Sequence, residues 1–354
     1  MRRHCIGWPV SKKGVAPASL AGMKMSKKFF VLGSNSFSGA SFSAHLLQSG
    51  YEVFGGSRSA EPHDAFLPYK WENNQDQFSF HQLDLNEDLK GIIDLIADEK
   101  IEYVVNFASQ SMVGESWDNP GDWFRTNTLS TVLLHEELRK LPFLERYVHI
   151  STPEVYGNTS GFVKENHALN PSTPYAVSRA AGDMSLISYF RAYDFPVVFT
   201  RAANVYGPGQ QLYRIIPRTI LYGLTGQKLQ LHGGGHSERS FIHIEDVSAA
   251  TLKIALNGTL GDCYHISTPQ LISIRNLVEK ISSRMGLDAE DLVEVVGERQ
   301  GKDQTYSLDD GKLRETLDWS DSISLDQGID QTIDWVKSNL EKLKAQPQSY
   351  IHKP

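Results

Sequence analysis

The chain has 354 residues, of which 40% are hydrophobic and 22% charged, and Lys+Arg 35 against Asp+Glu 42 leaves a formal charge of -7. That length allows one large or two modest domains with a substantial core, and ordinary globular usage excludes wholesale disorder and collagen-like repeats. Net acidity without a long basic run excludes a surface built to grip nucleic acid or anionic lipid, and two cysteines, Cys5 and Cys263, exclude a disulfide framework or a Cys-rich zinc site and suit a reducing cytoplasm.

Residues 1–24 hold Arg2, Arg3, Lys12 and Lys13, and no acidic residue precedes Glu52. Gly7, Pro9, Gly14 and Pro17 break any amphipathic helix there, so a flexible extension ahead of a start at Met25 is expected rather than a transit peptide. No window reaches the roughly 18 uninterrupted apolar residues of a membrane span. From Lys28, short β-branched and aromatic runs alternate with helical stretches. Strands are expected at Phe29 to Leu32, Glu52 to Phe54, Phe78 to Leu83, Tyr103 to Val105, Tyr147 to Ile150 and Val197 to Phe199. Helices are expected at Ala40 to Gln48, Leu89 to Ala97, Asn127 to Arg139 and Ala176 to Tyr193. This repeated β-α-β order is the pattern of an α/β, Rossmann-type, doubly wound parallel sheet, whose ligand crevice lies beyond the carboxyl ends of the strands. Residues 25–203 are expected to form that doubly wound domain. Residues 204–345, with helices near Ile215 to Leu224, Glu245 to Leu256, Ile274 to Arg284 and Leu325 to Lys344, are expected to form a smaller substrate lobe with segments returning to the first domain. The stretch 346–354 is expected to be a disordered tail.

Gly33-Ser34-Asn35-Ser36-Phe37-Ser38-Gly39 follows the first strand and opens the first helix, where backbone N–H groups can meet a pyrophosphate. Ser36 stands where a middle glycine is usual. The second strand runs into Ser57-Arg58 with no carboxylate to receive adenosine ribose hydroxyls, which favours NADP over NAD because Ser57 and Arg58 suit a 2′-phosphate. Asp84, after the third strand, suits either an acceptor for the adenine amino group or a cap of the next helix. The twelve histidines and two cysteines suggest no metal-ligand set, and no metal is expected.

At a strand end stands Ser151-Thr152-Pro153-Glu154-Val155-Tyr156-Gly157, and at a later helix start Pro174-Tyr175-Ala176-Val177-Ser178-Arg179. With the glycine loop, these segments resemble the extended short-chain dehydrogenase/reductase family, marked by Thr or Ser at the fifth strand and Tyr-x-x-x-Lys on the following helix. Within it the likeness is to nucleotide-sugar 4,6-dehydratases. The stretch from Ala108-Ser109-Gln110-Ser111 to Trp117 resembles the GDP-mannose branch, and Asn204-Val205-Tyr206-Gly207-Pro208 with Ile215-Ile216-Pro217 resembles the dTDP-glucose branch. Arg239-Ser240-Phe241-Ile242-His243-Ile244-Glu245-Asp246-Val247 is similar to both, and the likeness extends from Phe29 to Trp335.

The resemblance implies a redox-neutral lyase reaction on a nucleotide sugar, with tightly bound, recycled NADP or NAD. Hydride leaves carbon 4, water leaves across carbons 5 and 6, and hydride returns to carbon 6. Tyr175 would take the carbon-4 hydroxyl proton, Thr152 would hydrogen-bond the same oxygen, Glu154 would be the carbon-5 base, and Arg179 would stand in for the family Lys. Phe37, Ser38, Leu85, Phe107, Ala108 and Ser109 would border the coenzyme, and Ser111 would lie near nicotinamide and sugar. Asn204 and Arg239, an amide donor and a cation, suit a nucleotide diphosphate, with Arg214, Arg218 and Arg299 as further phosphate candidates. A homodimer or higher oligomer would form through the helices at 127–139 and 176–193.

Three positions depart from the family pattern. Ser36 replaces a glycine, Arg179 a lysine, and Pro153 the Asp or Ser that would protonate the departing hydroxyl. Pro153 keeps a 4-epimerase, C4 oxidoreductase or decarboxylase open as an alternative, whereas Glu154 argues for elimination. The three departures together keep open a non-catalytic NAD(P)-sensing protein.

Overall fold

The computed structural model describes residues 27–297 and 307–353, so the segment 1–24 lies outside the described residues. Strand β1 (Lys28–Leu32) reads Phe-Phe-Val-Leu with no polar break because both faces of its sheet are covered. Phe29 and Val31 pack with Phe42 and Val105 on one side, and Phe30 and Leu32 with Ile92 and Val104 on the other. Burial of each such side chain contributes about 1.5–3 kcal/mol.

Six further strands join it: β2 (Glu52–Ser57), β3 (Phe78–Gln82), β4 (Tyr103–Asn106), β5 (Arg146–Ile150), β6 (Val197–Ala202) and β7 (Cys263–Ile266). All pair in parallel, in the order β3-β2-β1-β4-β5-β6-β7, with Phe30 opposite Phe54 on one side and Val104 on the other. The chain works outward from β1 in one direction, then restarts at β4 in the other. The crevice at that reversal is where a doubly wound sheet receives its ligand.

Helices α1 (Phe37–Gln48) and α2 (Leu89–Glu99) make the first crossovers. The helix expected from Asn127 begins earlier: α3 (Pro120–Phe124) continues through a π-helical stretch, Arg125–Ser130, into α4 (Thr131–Leu138). Pro120 is suited to a first helical turn, but Gly121 and Asp122 hide the apolar period around buried Trp123. Helix α5 (Pro174–Tyr193) follows, and then α6 (Ile215–Thr225) and α7 (Ile244–Asn257). Strand β7 has four residues, too few for an alternation to stand out, and sequence reading missed it.

A second layer is built on a three-stranded sheet of Asn204–Tyr206, Glu238–His243 and Leu271–Ser273. Its core joins Tyr206, Ile216, Ile220, Leu277, Ile333 and Trp335. Helix α7 turns back instead, placing Ala250 and Ile254 in the cluster of Phe29 and Phe42. The helix expected over Leu325 to Lys344 is two, Leu325–Ser338 and Leu340–Lys344, parted at Asn339, whose φ of -114° is not helical.

Residues 346–353 are not a disordered tail. Arg218 donates to the Gln348 carbonyl, His352 stacks on Trp123, and Gln110 donates to the Lys353 carbonyl, so this segment has specific partners that its composition did not announce. Among the described residues no helix is long and apolar enough to cross a membrane.

Candidate active site

The loop after β1 turns at Gly33, whose φ of +88° favours glycine and where a Cβ would stand 2.7 Å from the Ala108 backbone nitrogen. Ser36 caps α1: its hydroxyl accepts from the Gly39 N–H at 3.1 Å and donates to the Gly33 carbonyl at 2.7 Å. The serine thus closes the turn with its own side chain, and the N-terminus of α1, with Phe37 and Ser38, faces the crevice. A Cβ on Gly39 would stand 2.2 Å from the Gly33 carbonyl oxygen. We expect Gly39→Ala to cost about 1–3 kcal/mol of stability in a urea titration, the range for overpacking a tight site.

The end of β2 is tied to this loop. Asn35 donates its N–H to Ser57 Oγ at 3.0 Å and its side-chain amide to the Ser59 carbonyl at 2.8 Å, with Arg58 half-buried between them. Asp84 does not cap α2, whose N-cap position is Asp88; its carboxylate accepts from the Asn86 N–H at 2.8 Å and closes a turn. Leu85 is buried beside Phe54. After β4, Phe107 donates its N–H to the Leu32 carbonyl, and Ala108 its N–H to the Asn106 side chain at 2.9 Å.

Beyond β5, Thr152 is the N-cap of a short 3-10 turn, Pro153–Tyr156, with Pro153 in the first position that proline favours. The Thr152 hydroxyl donates to the Glu154 carboxylate. Thr173 caps α5 by accepting from the Ala176 N–H at 3.2 Å, which sets Tyr175 in the first turn and aims it at the same place. Tyr175 is 7% exposed, and burial pushes its phenol up to about 12, with Glu154 adding to the rise while Arg179 and Thr152 work against it. Arg179 is buried and donates to the Ile150 carbonyl at the end of β5.

Thr152, Glu154, Tyr175 and Arg179 line one cleft of about 660 Å3 together with Ser36, Phe37, Ser38, Phe107 and Ser109. Ser111, Asn204, Arg214, Arg218 and Arg239 line the same cleft. Asn204 donates its side-chain amide to the Ser240 carbonyl at 3.2 Å, Arg214 lies 5.4 Å from the Tyr213 ring centre, and Arg239 donates to the Glu238 carbonyl at 2.7 Å. Gly33, Gly39, Ser57, Arg58, Asp84, Leu85 and Ala108 do not line this cleft, and Arg299 lies outside the described residues. His232 and His236 are four apart, but Gly234 between them has left-handed φ, and His232 bonds the Gly297 carbonyl through Nδ1. Among the described residues no group of three or more His, Cys, Asp or Glu could hold a metal ion.

Sequence reading missed the buried polar cluster beneath the cleft. Asp183, fully buried, accepts from Ser151 Oγ at 2.6 Å and Arg201 at 2.8 Å, with His149 Nε2 at 3.4 Å. Arg201 also donates to the Tyr156 hydroxyl, which meets His265 at 2.7 Å. Burial works against the Asp183 charge, but Arg201 holds this carboxyl well below the usual carboxylate range. A signal existed: Tyr175, Arg179 and Asp183 are each four residues apart, so they share the buried face of α5.

A family model described as GDP-mannose 4,6 dehydratase matches residues 30–332. A dTDP-glucose 4,6-dehydratase of Streptomyces niveus is 34% identical over 237 residues, 67% of this chain and 70% of that one. A trifunctional UDP-glucose 4,6-dehydratase/UDP-4-keto-6-deoxy-D-glucose 3,5-epimerase/UDP-4-keto-L-rhamnose-reductase of Arabidopsis thaliana is 34% identical over 251 residues, 70% of this chain but only 37% of the plant protein's length. Among solved structures, a dTDP-glucose 4,6-dehydratase from Streptomyces venezuelae with NAD and TYD bound superposes with a TM-score of 0.83 at 28% identity, covering 89% of this chain and 98% of that one.

Proposed function

The chain belongs to the GDP-mannose 4,6-dehydratase family, and on that footing we propose that it is an NAD(P)-dependent sugar-nucleotide 4,6-dehydratase, a lyase that makes a 4-keto-6-deoxy sugar nucleotide. The observation that carries the reading is one cleft lined by a phenol, a hydroxyl and a carboxylate, Tyr175, Thr152 and Glu154, together with the Ser36 to Ser38 loop and the guanidinium groups of Arg214, Arg218 and Arg239.

The turn after β1 supports a dinucleotide site, because Gly33 and Gly39 let the loop close tightly on its own backbone at the N-terminus of α1, whose N–H groups suit a pyrophosphate. Bound coenzyme would supply the oxidant that takes hydride from carbon 4 and returns it at carbon 6. Tyr175 accepts the carbon-4 hydroxyl proton, and the Thr152 hydroxyl turns from Glu154 to donate to the same oxygen, which frees the carboxylate. The ketone so formed acidifies the carbon-5 hydrogen, which Glu154 removes. Pro153 has no proton to give, so protonated Glu154 returns the proton to the departing carbon-6 hydroxyl, which leaves as water; once hydride has entered carbon 6, carbon 5 takes up a proton, which balances the one that Tyr175 took from the carbon-4 hydroxyl. Arg214, Arg218 and Arg239 take the diphosphate. NADP is favoured by Ser57 and Arg58 and by the lack of a carboxylate at the end of β2. Exposed Leu129, Leu133, Val177 and Met184, all on the π-helical stretch, α4 and α5, support a homodimer through those helices, and the low cysteine count supports a cytoplasmic setting.

Incubation with dTDP-glucose, GDP-mannose, CDP-glucose and UDP-glucose in the presence of NADP should give loss of one water from one of them by mass spectrometry. Dehydration of none refutes the proposal. Glu154→Gln should cut dehydration by about 10²–10⁴-fold, the span for a positioned acid–base group, with coenzyme binding retained. A 4-epimerase would keep its turnover in that variant.

A further inference from the structure

The segment after the last helix is tied down along its length, and two of the residues it meets, Tyr213 and Arg218, line the cleft. On the substrate side Arg218 donates to the Gln348 carbonyl at 3.3 Å, and the Tyr350 ring meets Tyr213 edge-on with centres 5.7 Å apart. Further along, His352 stacks on Trp123 at 5.1 Å and 11° and pairs with Asp122 at 2.7 Å. Gln110, 2% exposed, then donates to the Lys353 carbonyl at 2.6 Å, and Gln110 is itself fixed by its N–H to Asn127 at 2.9 Å. The segment ends with Lys353 Nζ donating to Ser59 Oγ at 3.1 Å. Ordering such a stretch costs backbone entropy at every residue, and these anchors offset it.

Lys353 ends where a second cation has a use. Ser59 directly follows Arg58, and its carbonyl is held by Asn35 of the loop after β1. The end of β2 is the place where a dinucleotide fold reads the adenosine ribose, with a carboxylate for free hydroxyls or a cation for a 2′-phosphate. Among the described residues the Lys353 ammonium has no carboxylate partner, and a single bond to a serine hydroxyl leaves its other donors available.

We propose that residues 348–353 form a strap belonging to the coenzyme site, and that Lys353 is a specificity residue within it, joining Arg58 and Ser59 around the 2′-phosphate of NADP. The proposal rests on the reading that this chain binds NAD(P). Recognition of the coenzyme would then couple to the substrate wall, because the same six residues also bind Arg218 and Tyr213.

The test is a fluorescence titration of NADPH and NADH with the full chain, Lys353→Ala, Lys353→Glu and a chain lacking 348–354, each checked by thermal melting. Lys353→Ala should weaken NADPH about tenfold, the loss of one charge-assisted contact, and leave NADH within about twofold. Lys353→Glu should weaken NADPH further, and the shortened chain at least as much as Lys353→Ala. An unchanged NADPH to NADH ratio in both Lys353 variants refutes the strap while leaving the coenzyme reading intact. Tighter binding of both coenzymes to the shortened chain also refutes it, since the segment would then be blocking the groove. A full chain that binds neither coenzyme refutes the coenzyme reading and the strap with it.

Discussion

Replacing Tyr175 with Phe is expected to lower kcat by about 10²–10⁴-fold, the range a positioned general base supplies, while coenzyme affinity stays within about twofold. The phenol is the group best placed to take the carbon-4 hydroxyl proton, and its surroundings explain both the need for help and its source. Burial pushes it up to about 12 and the Glu154 carboxylate adds to the rise, so with neither coenzyme nor substrate present it is protonated at neutral pH. Arg179 and Thr152 pull the other way, and a positively charged nicotinamide above the ring would add to them. Because the base acts in its ionised form, kcat should rise with pH on the acid side of the phenol's value in the enzyme–substrate complex, about tenfold per unit. The Phe variant should lose that limb of the profile. A variant that keeps the wild-type rate and the same profile excludes Tyr175 as the base. The bond from Arg179 to the Ile150 carbonyl holds its guanidinium near the phenol.

The parts legible in the sequence were those whose signal is local. Uninterrupted runs such as Phe29 to Leu32 announced buried parallel strands, and Gly33 with Gly39 announced a turn with no space for side chains. The positions of Thr152, Glu154 and Tyr175 were legible through family likeness, and a strand end and a capped helix start bring them to one cleft. What escaped notice depends on partners distant in the chain. Strand β7 is identifiable only by its pairing with β6, such as His265 with Arg201. His352 looks like a residue of a polar tail until Trp123 and Asp122, about 230 positions earlier, are placed beside it. Pro153 and Ser36 looked like defects, yet one opens the 3-10 turn that carries Glu154 and the other caps α1 with its hydroxyl.

Asp183→Ala should be the most destabilising single change near the site, at about 3–5 kcal/mol in a urea titration at neutral pH, because it leaves Arg201 charged and buried without its partner. Asp183 is 0% exposed and Arg201 4% exposed, so water cannot replace the lost carboxylate, and Ser151 and His149 also lose the acceptor they face. The pH dependence has a definite sign. The Asp183 carboxyl is held well below its unfolded value of about 3.9 by Arg201. Its contribution is therefore complete above that unfolded value and is lost as pH falls through the folded one. The gap in stability between wild type and variant should stay constant from neutral pH down to about 5, and shrink only below about 4. A gap that closes between neutral pH and 5 would mean that His149 rather than Asp183 governs the cluster. Ser151 precedes Thr152, and Arg179 lies one helical turn before Asp183 on α5. Loss of the carboxylate should consequently lower kcat as well as stability, and Asp183→Asn, which keeps the side chain's shape without its charge, should recover more of the packing than of the stability.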